Sequence, residues 1–501
     1  MKIHFLGGLG EIGANCTVYQ TDNVSLIIDF GIKFPRVKTI GIDKIYTNSK
    51  ILPQNKKILL ITHIHEDHIG AFFEIYHQVD HIYLPKLAFE FLQEKAKKEL
   101  ILSKFTIYDH NSKISIAQEF DLYPFETFHS TPETYGIMIH FKQQLITHLS
   151  DFKSNRKTIF KHANSQFDFA NQHFKKHLFL SDSTNMSSQK RYDHSEEEVA
   201  QGIKRIFDRN HRRYFITLFG SNIERIHNIQ RIAFDLGMKC HFLGNSLNFY
   251  NKISHYMTKP PEHMDNREPS LYFVTGSQGE KFSQLWRMAR DQGDVLLNSE
   301  DAVIFSSRSI PGNDQSFYHM LNLLSSKTNH IYLDGEEPIH CSGHAYKGDL
   351  EIAVKELRPT HVLPIHGENF HLSKACRFIT DIFSLPVTKA YPHSLFDFDS
   401  LALFANPNPN TEPEIFIDQN GGHKIESEDI KNRTKLGNKG LVIISLEYKK
   451  IKLIGVPSAS KITDQLNHEL SHFSKSDTMV LTLIKRRLEE KIGYVPMIIH
   501  S

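Results

Sequence analysis

The sequence predicts an α/β protein of several domains. Three observations lead there. Its 501 residues correspond to roughly three domains of about 150 residues each. Apolar residues make up 40% and charged residues 23%, an ordinary globular balance that excludes a wholly disordered chain. Short β-like runs alternate with helical runs, most regularly in the middle of the chain.

The first part reads as strands and turns followed by helices. Strands are expected at 2–6, at 16–20 and 25–30 around the turn Thr21-Asp22-Asn23, and at 57–62, where an apolar run stops at a polar cluster. Helices are expected at 69–78 and 86–98. Strands at 145–149 and 177–180 each run into a polar end, Ser150-Asp151 and Ser181-Asp182-Ser183. From about 195 the texture changes. The runs 214–219, 223–236, 271–274, 281–292, 301–305 and 314–324 alternate strand with helix, the pattern of a parallel sheet. Near Pro338 strand-and-loop segments with histidines return. A looser Asn/Pro-rich stretch, 406–414, precedes a last segment from about 426, with strands at 441–446, 450–456 and 496–500 and a helix at 478–491.

Composition excludes several classes. The four cysteines, Cys16, Cys240, Cys341 and Cys376, are far apart and form no C-x-x-C pair, against a disulfide framework or a thiolate zinc site. No apolar run reaches 18 residues, so no membrane span is expected. The opening apolar stretch is too short for a secretory signal, and a cytoplasmic location is expected. A net charge of +2 does not decide for or against nucleic acid, because basic groups can be confined to one groove.

Gly8-Leu9-Gly10-Glu11-Ile12-Gly13 fits G-x-G-x-x-G after a strand. A dinucleotide site would need a helix to start there. The following Asn15-Cys16-Thr17-Val18-Tyr19-Gln20 is β-like instead, so the glycines are read as letting a strand-to-strand loop pass close to something.

His63-Ile64-His65-Glu66-Asp67-His68 carries the strongest chemistry. On an extended chain His63 and His65 point to one side and can share a metal. Asp67 and His68 then open a helix and can address a second. Imidazole and carboxylate suit zinc, manganese or iron. His129 in a loop, Asp151 at a strand end and His366 before Gly367 bring the set to seven ligands, enough for two metals bridged by one carboxylate and one water.

This set, with Asp29 in Ile27-Ile28-Asp29-Phe30-Gly31, resembles the metallo-β-lactamase fold. Further segments resemble its bacterial ribonuclease J branch, among the β-CASP nucleases. They are Leu6 to Gly13, Ser181-Asp182-Ser183-Thr184-Asn185, Gly220-Ser221-Asn222-Ile223, Thr275-Gly276-Ser277-Gln278-Gly279-Glu280, Ile310-Pro311-Gly312-Asn313-Asp314, His340-Cys341-Ser342-Gly343-His344 and Pro364-Ile365-His366-Gly367-Glu368. The chain departs from the family at Asp314, usually Glu, at Cys341, usually Val, and in a shortened C-terminal segment.

The resemblance implies an αββα sandwich at 1–192 and 340–425, interrupted by a β-CASP α/β domain at 193–339 and followed by a small C-terminal α/β domain at 426–501. It implies RNA phosphodiester hydrolysis by a two-metal-activated hydroxide, combining 5′→3′ exonuclease on 5′-monophosphate RNA with endonuclease in RNA decay and maturation. Two divalent ions are expected, Zn²⁺ ahead of Mn²⁺ or Mg²⁺. His63, His65 and His129 would hold one, and Asp67, His68 and His366 the other, with Asp151 bridging. Asp29 and Glu66 are expected behind the ligands.

Asp67, His340 and His344 are the expected catalytic residues. His344 would orient the scissile phosphate or donate a proton, with His340 assisting. Substrate contacts are expected from Gly220, Ser221, Asn222, His340, Cys341, Ser342, Gly343 and His344. Ser221-Asn222 is read equally as a 5′-phosphate pocket and as a helix cap, and Ser277–Glu280 as a capping box. Lys204, Arg205, Arg209, Arg212 and Arg213 form the densest basic cluster, read either as steering the RNA backbone or as a solvated charged face. The expected partners are RNA, a second copy in a homodimer or homotetramer, and other RNA-decay proteins. The alternatives are a DNA-directed β-CASP nuclease, a small-molecule hydrolase of the same superfamily, or a catalytically silent subunit that binds RNA or a partner nuclease.

Overall fold

Alternating burial along single strands sets the architecture. In Phe120–Glu126, Leu122 faces one core while Tyr123 and Phe125 face another; in Lys176–Asp182, Leu178 and Leu180 are divided from Phe179 in the same way. The computed structural model describes residues 1–35, 41–96, 100–162, 174–253, 269–310, 313–405, 411–419, 422–445, 447–448, 450–456, 458–471, 477–492 and 494–500. They form two units, Met1–Lys33 with Tyr46–Pro413, and Phe34–Ile45 with Glu414–Ser501.

In the first unit an eight-stranded and a six-stranded sheet share one core. Ile3, Phe5, Leu26 and Leu60 from the first sheet meet Leu122, Ile137, Ile146, Leu180 and Leu363 from the second. Helices Lys347–Leu357 and Asn369–Phe383 cover the outer face of the six-stranded sheet with Leu350, Val354, Leu357 and Ile379. This is the expected αββα sandwich.

Parallel pairing brings strand ends together. Gln144–Leu149, Lys176–Asp182 and His361–Ile365 run parallel, with Leu149 beside Ser181 and Asp182 beside Ile365. Asp151, Asp182 and His366 therefore leave the sheet at one edge. In the other sheet Val24–Ile28 and Lys56–Leu60 run parallel with Ile28 opposite Leu60, so Asp29 and the segment from Thr62 emerge side by side.

The inserted region is a five-stranded parallel sheet in the order Lys239–Leu243, Ser270–Val274, Arg213–Thr217, Ala302–Phe305, His330–Tyr332. Tyr214 and Ile216 face helices Glu196–Phe207 and Ile223–Asp235, and Phe215 faces helices Gln284–Ala289 and Asp314–Ser325. Both faces are covered, as a parallel sheet requires.

The second unit packs helices Ala459–Ser471 and Asp477–Ile492 on the sheet Lys450–Ile454, Leu441–Ser445, Met497–His500 through Val442, Ile451, Leu466, Ile484 and Leu488. No helix among the described residues is long and apolar enough to cross a membrane.

Several elements differ from expectation. The helix read at 69–78 is broken into Glu66–Ile69, Phe72–Ile75 and a 3₁₀ turn Tyr76–Gln78. The break falls at Gly70, which ends the first piece where an added Cβ would lie 2.4 Å from the Glu66 carbonyl. The helix read at 281–292 is only Gln284–Ala289, because Phe282 at φ 67° cannot enter a helix and Ser283 caps it instead. Strand Lys239–Leu243 and helices Asn245–Ile253, Ser427–Lys439 and Ala459–Ser471 were not anticipated. Pro311 and Gly312 of the 310–314 segment, residues 406–410 of the Asn/Pro-rich stretch and Leu446 lie outside the described residues.

Candidate metal centre

All seven expected ligands converge at the edge where the two sheets end. His65 is the extended residue that caps helix Glu66–Ile69, so His63 and His65 precede the helix and Asp67 and His68 lie in its first turn. His63 Nε2 and His129 Nε2 lie 3.1 and 3.0 Å from His65 Nδ1, and 3.4 and 3.3 Å from Asp151 Oδ2. On the other side, His68 Nε2 and His366 Nδ1 lie 3.2 and 3.0 Å from Asp151 Oδ1, and His366 Nε2 lies 3.2 Å from Asp67 Oδ2. Donor atoms of His63, His65, His129 and Asp151 fall within 4.8 Å of one another, as do those of Asp67, His68 and His366.

The donor chemistry fits divalent cations. Asp151 is 2% exposed, and neither of its carboxylate oxygens has a hydrogen-bond partner among the described residues. The imidazole nitrogens approach them without hydrogen-bond geometry. A buried carboxylate left so is costly unless a cation completes it.

The rings are held from behind, as ligating histidines commonly are. Asp29, at φ 63°, accepts from the Thr62 amide and hydroxyl at 2.8 Å each and lies 2.7 Å from His68 Nδ1. His129 Nδ1 donates to the Gly343 carbonyl at 2.7 Å. His63 Nδ1 meets the Thr62 hydroxyl at 3.0 Å. Glu66 does not join this layer: it pairs with Lys95.

Charge is divided unevenly across the cluster. Burial, then the neighbouring His68, pushes His63 down to about 4, and burial holds His129 well below the usual imidazole range. Burial acts the same way on His68 and His366, but the facing carboxylates, Asp151 first, outweigh it and hold both rings well above that range. Burial also opposes the charges of Asp67 and Asp151, yet His68 and its neighbours keep both carboxyls far below the usual carboxylate value. A cation would compete with protons for these donors, so metal uptake would be pH-dependent.

Two residues were missed as site residues. Asp182 is fully buried, lies 3.0 Å from His344 Nδ1 and groups with Asp151, His344 and His366. Its mark in the sequence was a strand ending in Ser-Asp, the same as at Asp151. Asn15 reaches the His68 ring and the Asp67 carbonyl through its Nδ2, at 3.0 and 3.1 Å. The glycine loop puts it there: at Gly8 (φ 75°) a Cβ would lie 2.3 Å from Asn15 Oδ1. No helix follows this loop, as expected, and strand Cys16–Gln20 does.

The 340–344 segment reaches the cluster from its own side. Ser342 and His344 line a cavity of about 170 Å³, with Lys153, His194 and Tyr346 on its wall. His344 Nδ1 lies 3.8 Å from Asp151 Oδ2; burial lowers its affinity for a proton, but Asp151 and Asp182 raise it above the ordinary imidazole value. His340 differs. Burial, then Arg225 and Arg308, push it down to about 3, and Arg225 NH1 donates to its Nδ1 at 3.0 Å. Cys341 is 1% exposed, with its thiol on Glu196 and Arg225, so its side chain is turned away from any substrate.

Elsewhere the expected polar segments are largely structural. Asn222 caps helix Ile223–Asp235 by accepting from the Arg225 amide, while Gly220 and Ser221 stay partly exposed at the end of strand Arg213–Thr217. Ser277–Glu280 caps no helix. Gln278 instead clamps the Arg308 carbonyl and the Ile310 amide. In the basic cluster, Arg205 and Arg209 face Glu337 and Arg213 faces Asp301, so three of the five charges already meet carboxylates.

Comparison with known proteins places these parts. The metallo-beta-lactamase superfamily model matches residues 9–124, the ribonuclease J beta-CASP domain model residues 211–324, and the Zn-dependent metallo-hydrolase RNA specificity domain model residues 337–383. Ribonuclease J 1 of Streptococcus pyogenes serotype M3 is 30% identical over 460 residues, covering 87% of this chain and 81% of that protein. Ribonuclease J of Mycoplasma genitalium is 29% identical over 489 residues, covering 91% and 84%. Ribonuclease J of Helicobacter pylori strain J99 is 26% identical over 527 residues, covering 98% and 75%. A solved protein of unknown function from Enterococcus faecalis V583 superposes with a TM-score of 0.54 at 14% identity, covering 79% of this chain and 99% of that one, a likeness of fold alone. A metallo-β-lactamase domain with a β-CASP insertion, a histidine–aspartate cluster at its sheet edge and this extended similarity make the chain a hydrolytic nuclease of the ribonuclease J family.

Proposed function

We propose that this chain is a metal-dependent ribonuclease acting 5′→3′ on 5′-monophosphate RNA and also cutting internally, in RNA decay and maturation. One observation carries the metal dependence: Asp151 is buried among six imidazole rings, and neither of its oxygens has a hydrogen-bond partner among the described residues. In this reading His63, His65 and His129 hold one divalent ion and Asp67, His68 and His366 a second, with Asp151 between them and Zn²⁺ ahead of Mn²⁺ or Mg²⁺. When bound, such ions supply Lewis-acid activation of water and a clamp on the scissile phosphate.

The chain's own groups do the rest. The water oxygen bonds to phosphorus and its proton passes to solvent, the bond from phosphorus to the 3′ oxygen breaks, and that oxygen takes a proton. His344 is placed to give it. Its Nδ1 is held on Asp182, which leaves Nε2 for the substrate, and the carboxylates of Asp151 and Asp182 raise the ring's affinity for a proton. His340 is a neutral ring whose Nδ1 accepts from Arg225, so Nε2–H is its donor and it orients rather than titrates. The products are a 3′-hydroxyl and a 5′-phosphate.

Gly220, Ser221 and Asn222 are the proposed pocket for the 5′-monophosphate. Strand Arg213–Thr217 lies between Ser270–Val274 and Ala302–Phe305, and its carboxyl end is the reversal point of strand order, where open parallel sheets bind ligands. The division that goes with this reading is 1–192 and 340–425 for the metallo-β-lactamase domain, 193–339 for the β-CASP domain and 426–501 for the C-terminal domain. We place the enzyme in the cytoplasm as a homodimer or homotetramer.

The test uses one RNA sequence with a 5′-monophosphate or a 5′-triphosphate, beside a DNA copy, with Mn²⁺ or Zn²⁺. Mononucleotides released fastest from the monophosphate RNA are expected. Cleavage of DNA alone would make the chain a DNA nuclease, and no cleavage by metal-loaded protein would make it a binding subunit.

A further inference from the structure

A second group of side chains of metal-ligating types lies apart from the cluster above. Glu126, His110 and His162 each offer one donor atom, and the three atoms lie within 4.8 Å of one another. They come from three separate segments. Glu126 ends strand Phe120–Glu126, His110 lies in the turn where the Ser112 amide bonds the Asp109 carbonyl, and His162 follows the 158–160 turn.

The carboxylate is fixed with its two oxygens in different roles. Oε1 takes Lys161 Nζ and the Glu133 amide, each at 3.2 Å. Oε2 lies 2.7 Å from His162 Nε2. The His110 and His162 rings stack at 4.2 Å between centroids, 18° from parallel. Glu126 is 10% exposed and His162 is 42% exposed, so the site pairs an anchored carboxylate with an accessible imidazole.

We propose that Glu126, His110 and His162 bind a zinc ion, separate from the catalytic cluster. Two imidazoles and one carboxylate are a donor set that zinc takes, with the fourth position left to water. Zinc bonds of about 2.0–2.1 Å put tetrahedral donors roughly 3.4 Å apart, so the present spread closes with side-chain movement on the order of 1 Å. The half-exposed His162 can supply that movement by leaving the ring stack. The hydrogen bonds on Oε1 are the outer contacts that orient a ligating carboxylate. A bound ion would tie together three segments, one of which leads three residues later to His129.

The experiment strips the full chain of metal with a chelator, adds ZnCl₂ alone and counts zinc per chain after gel filtration. His110→Ala/His162→Ala is expected to bind one zinc fewer than the unmodified protein. It should also lose part of the zinc-induced rise in Tm, while cleaving RNA at the unmodified rate in Mn²⁺. Glu126→Gln is expected to lose the same ion with a smaller change in packing. Equal zinc content in the unmodified protein and both variants would overturn the site and leave only a hydrogen-bonded His–Glu pair. The readout is a difference between chains sharing one catalytic cluster, so it holds whatever that cluster binds.

Discussion

Arg225 NH1 lies 3.0 Å from His340 Nδ1, deep inside the inserted domain, where the arginine is 1% exposed. The same guanidinium holds Glu196 through Nε at 3.1 Å and NH2 at 2.8 Å, and the carbonyls of Ser306 and Cys341 at 3.2 and 2.7 Å. It therefore sets the His340 tautomer and the path of the 340–344 segment together. Arg225→Met leaves Glu196 short of its main partner, and a loss of about 3–5 kcal/mol is expected in denaturant unfolding. Arg225→Lys keeps a charge beside Glu196 but cannot span all these acceptors. It should fold, and lose kcat on RNA more than it raises KM.

Gly343 approaches His129 so closely that a Cβ there would lie 2.8 Å from His129 Cε1 and 2.9 Å from Nδ1. Gly343→Ala should displace this ring and the carbonyl that orients it. A kcat loss on the order of 100-fold is expected, the scale of a 1 Å misplacement at a reacting centre. Single-turnover cleavage of a short RNA measures it, with circular dichroism as the check that the fold is intact.

Asp29 holds His68 Nδ1 at 2.7 Å and is itself fixed by Thr62. Asp29→Asn preserves shape and removes the charge. Metal affinity is expected to fall about 10–100-fold, as it does when such an outer partner is lost. Competition against a chelating dye reads this directly. An unchanged affinity would remove Asp29 from the account.

His177 is buried against Thr147, its Nε2 2.8 Å from the hydroxyl, and burial pushes its proton affinity down to about 4 from an ordinary 6.5. The folded state thus keeps it neutral while the unfolded chain binds a proton between these values. Stability is full above about 6.5 and falls as the pH drops toward 4, by on the order of 3 kcal/mol from this group. His177→Gln should flatten that part of the Tm profile, measured by thermal melts from pH 7.5 to 4.5.

Much of the metal centre was legible because its ligands sit at strand ends, where an apolar run stops at His or Asp. The pairs Leu149-to-Asp151 and Ile365-to-His366 show this, and parallel register then brings them together. Asp182 carried the same mark but was not counted, since seven ligands already sufficed for two ions. Asn15 was invisible, because its role depends on a loop folding back over 52 residues of chain to Asp67. The burial of Arg225 was equally hidden: on sequence it is one charge on an amphipathic helix, and only the neighbouring 340–344 segment makes it an internal residue. The carboxylate partners of the basic cluster, Glu337 and Asp301, were hidden as well, since they come from distant positions. In the second unit, helix Ser427–Lys439 carries few apolar residues and gave no clear period, whereas helix Ala459–Ser471 places Ile462, Leu466 and Leu470 four apart, a helical signal that was present and went unread.

The most direct test of the central claim is RNA hydrolysis by metal-stripped protein, before and after Mn²⁺ or Zn²⁺ is restored, beside Asp151→Ala. The account predicts that stripping abolishes cleavage, that the added ion restores it in the unmodified chain, and that Asp151→Ala neither retains the ions of the catalytic cluster nor cleaves. Cleavage at full rate by the stripped protein, or by Asp151→Ala, would contradict it.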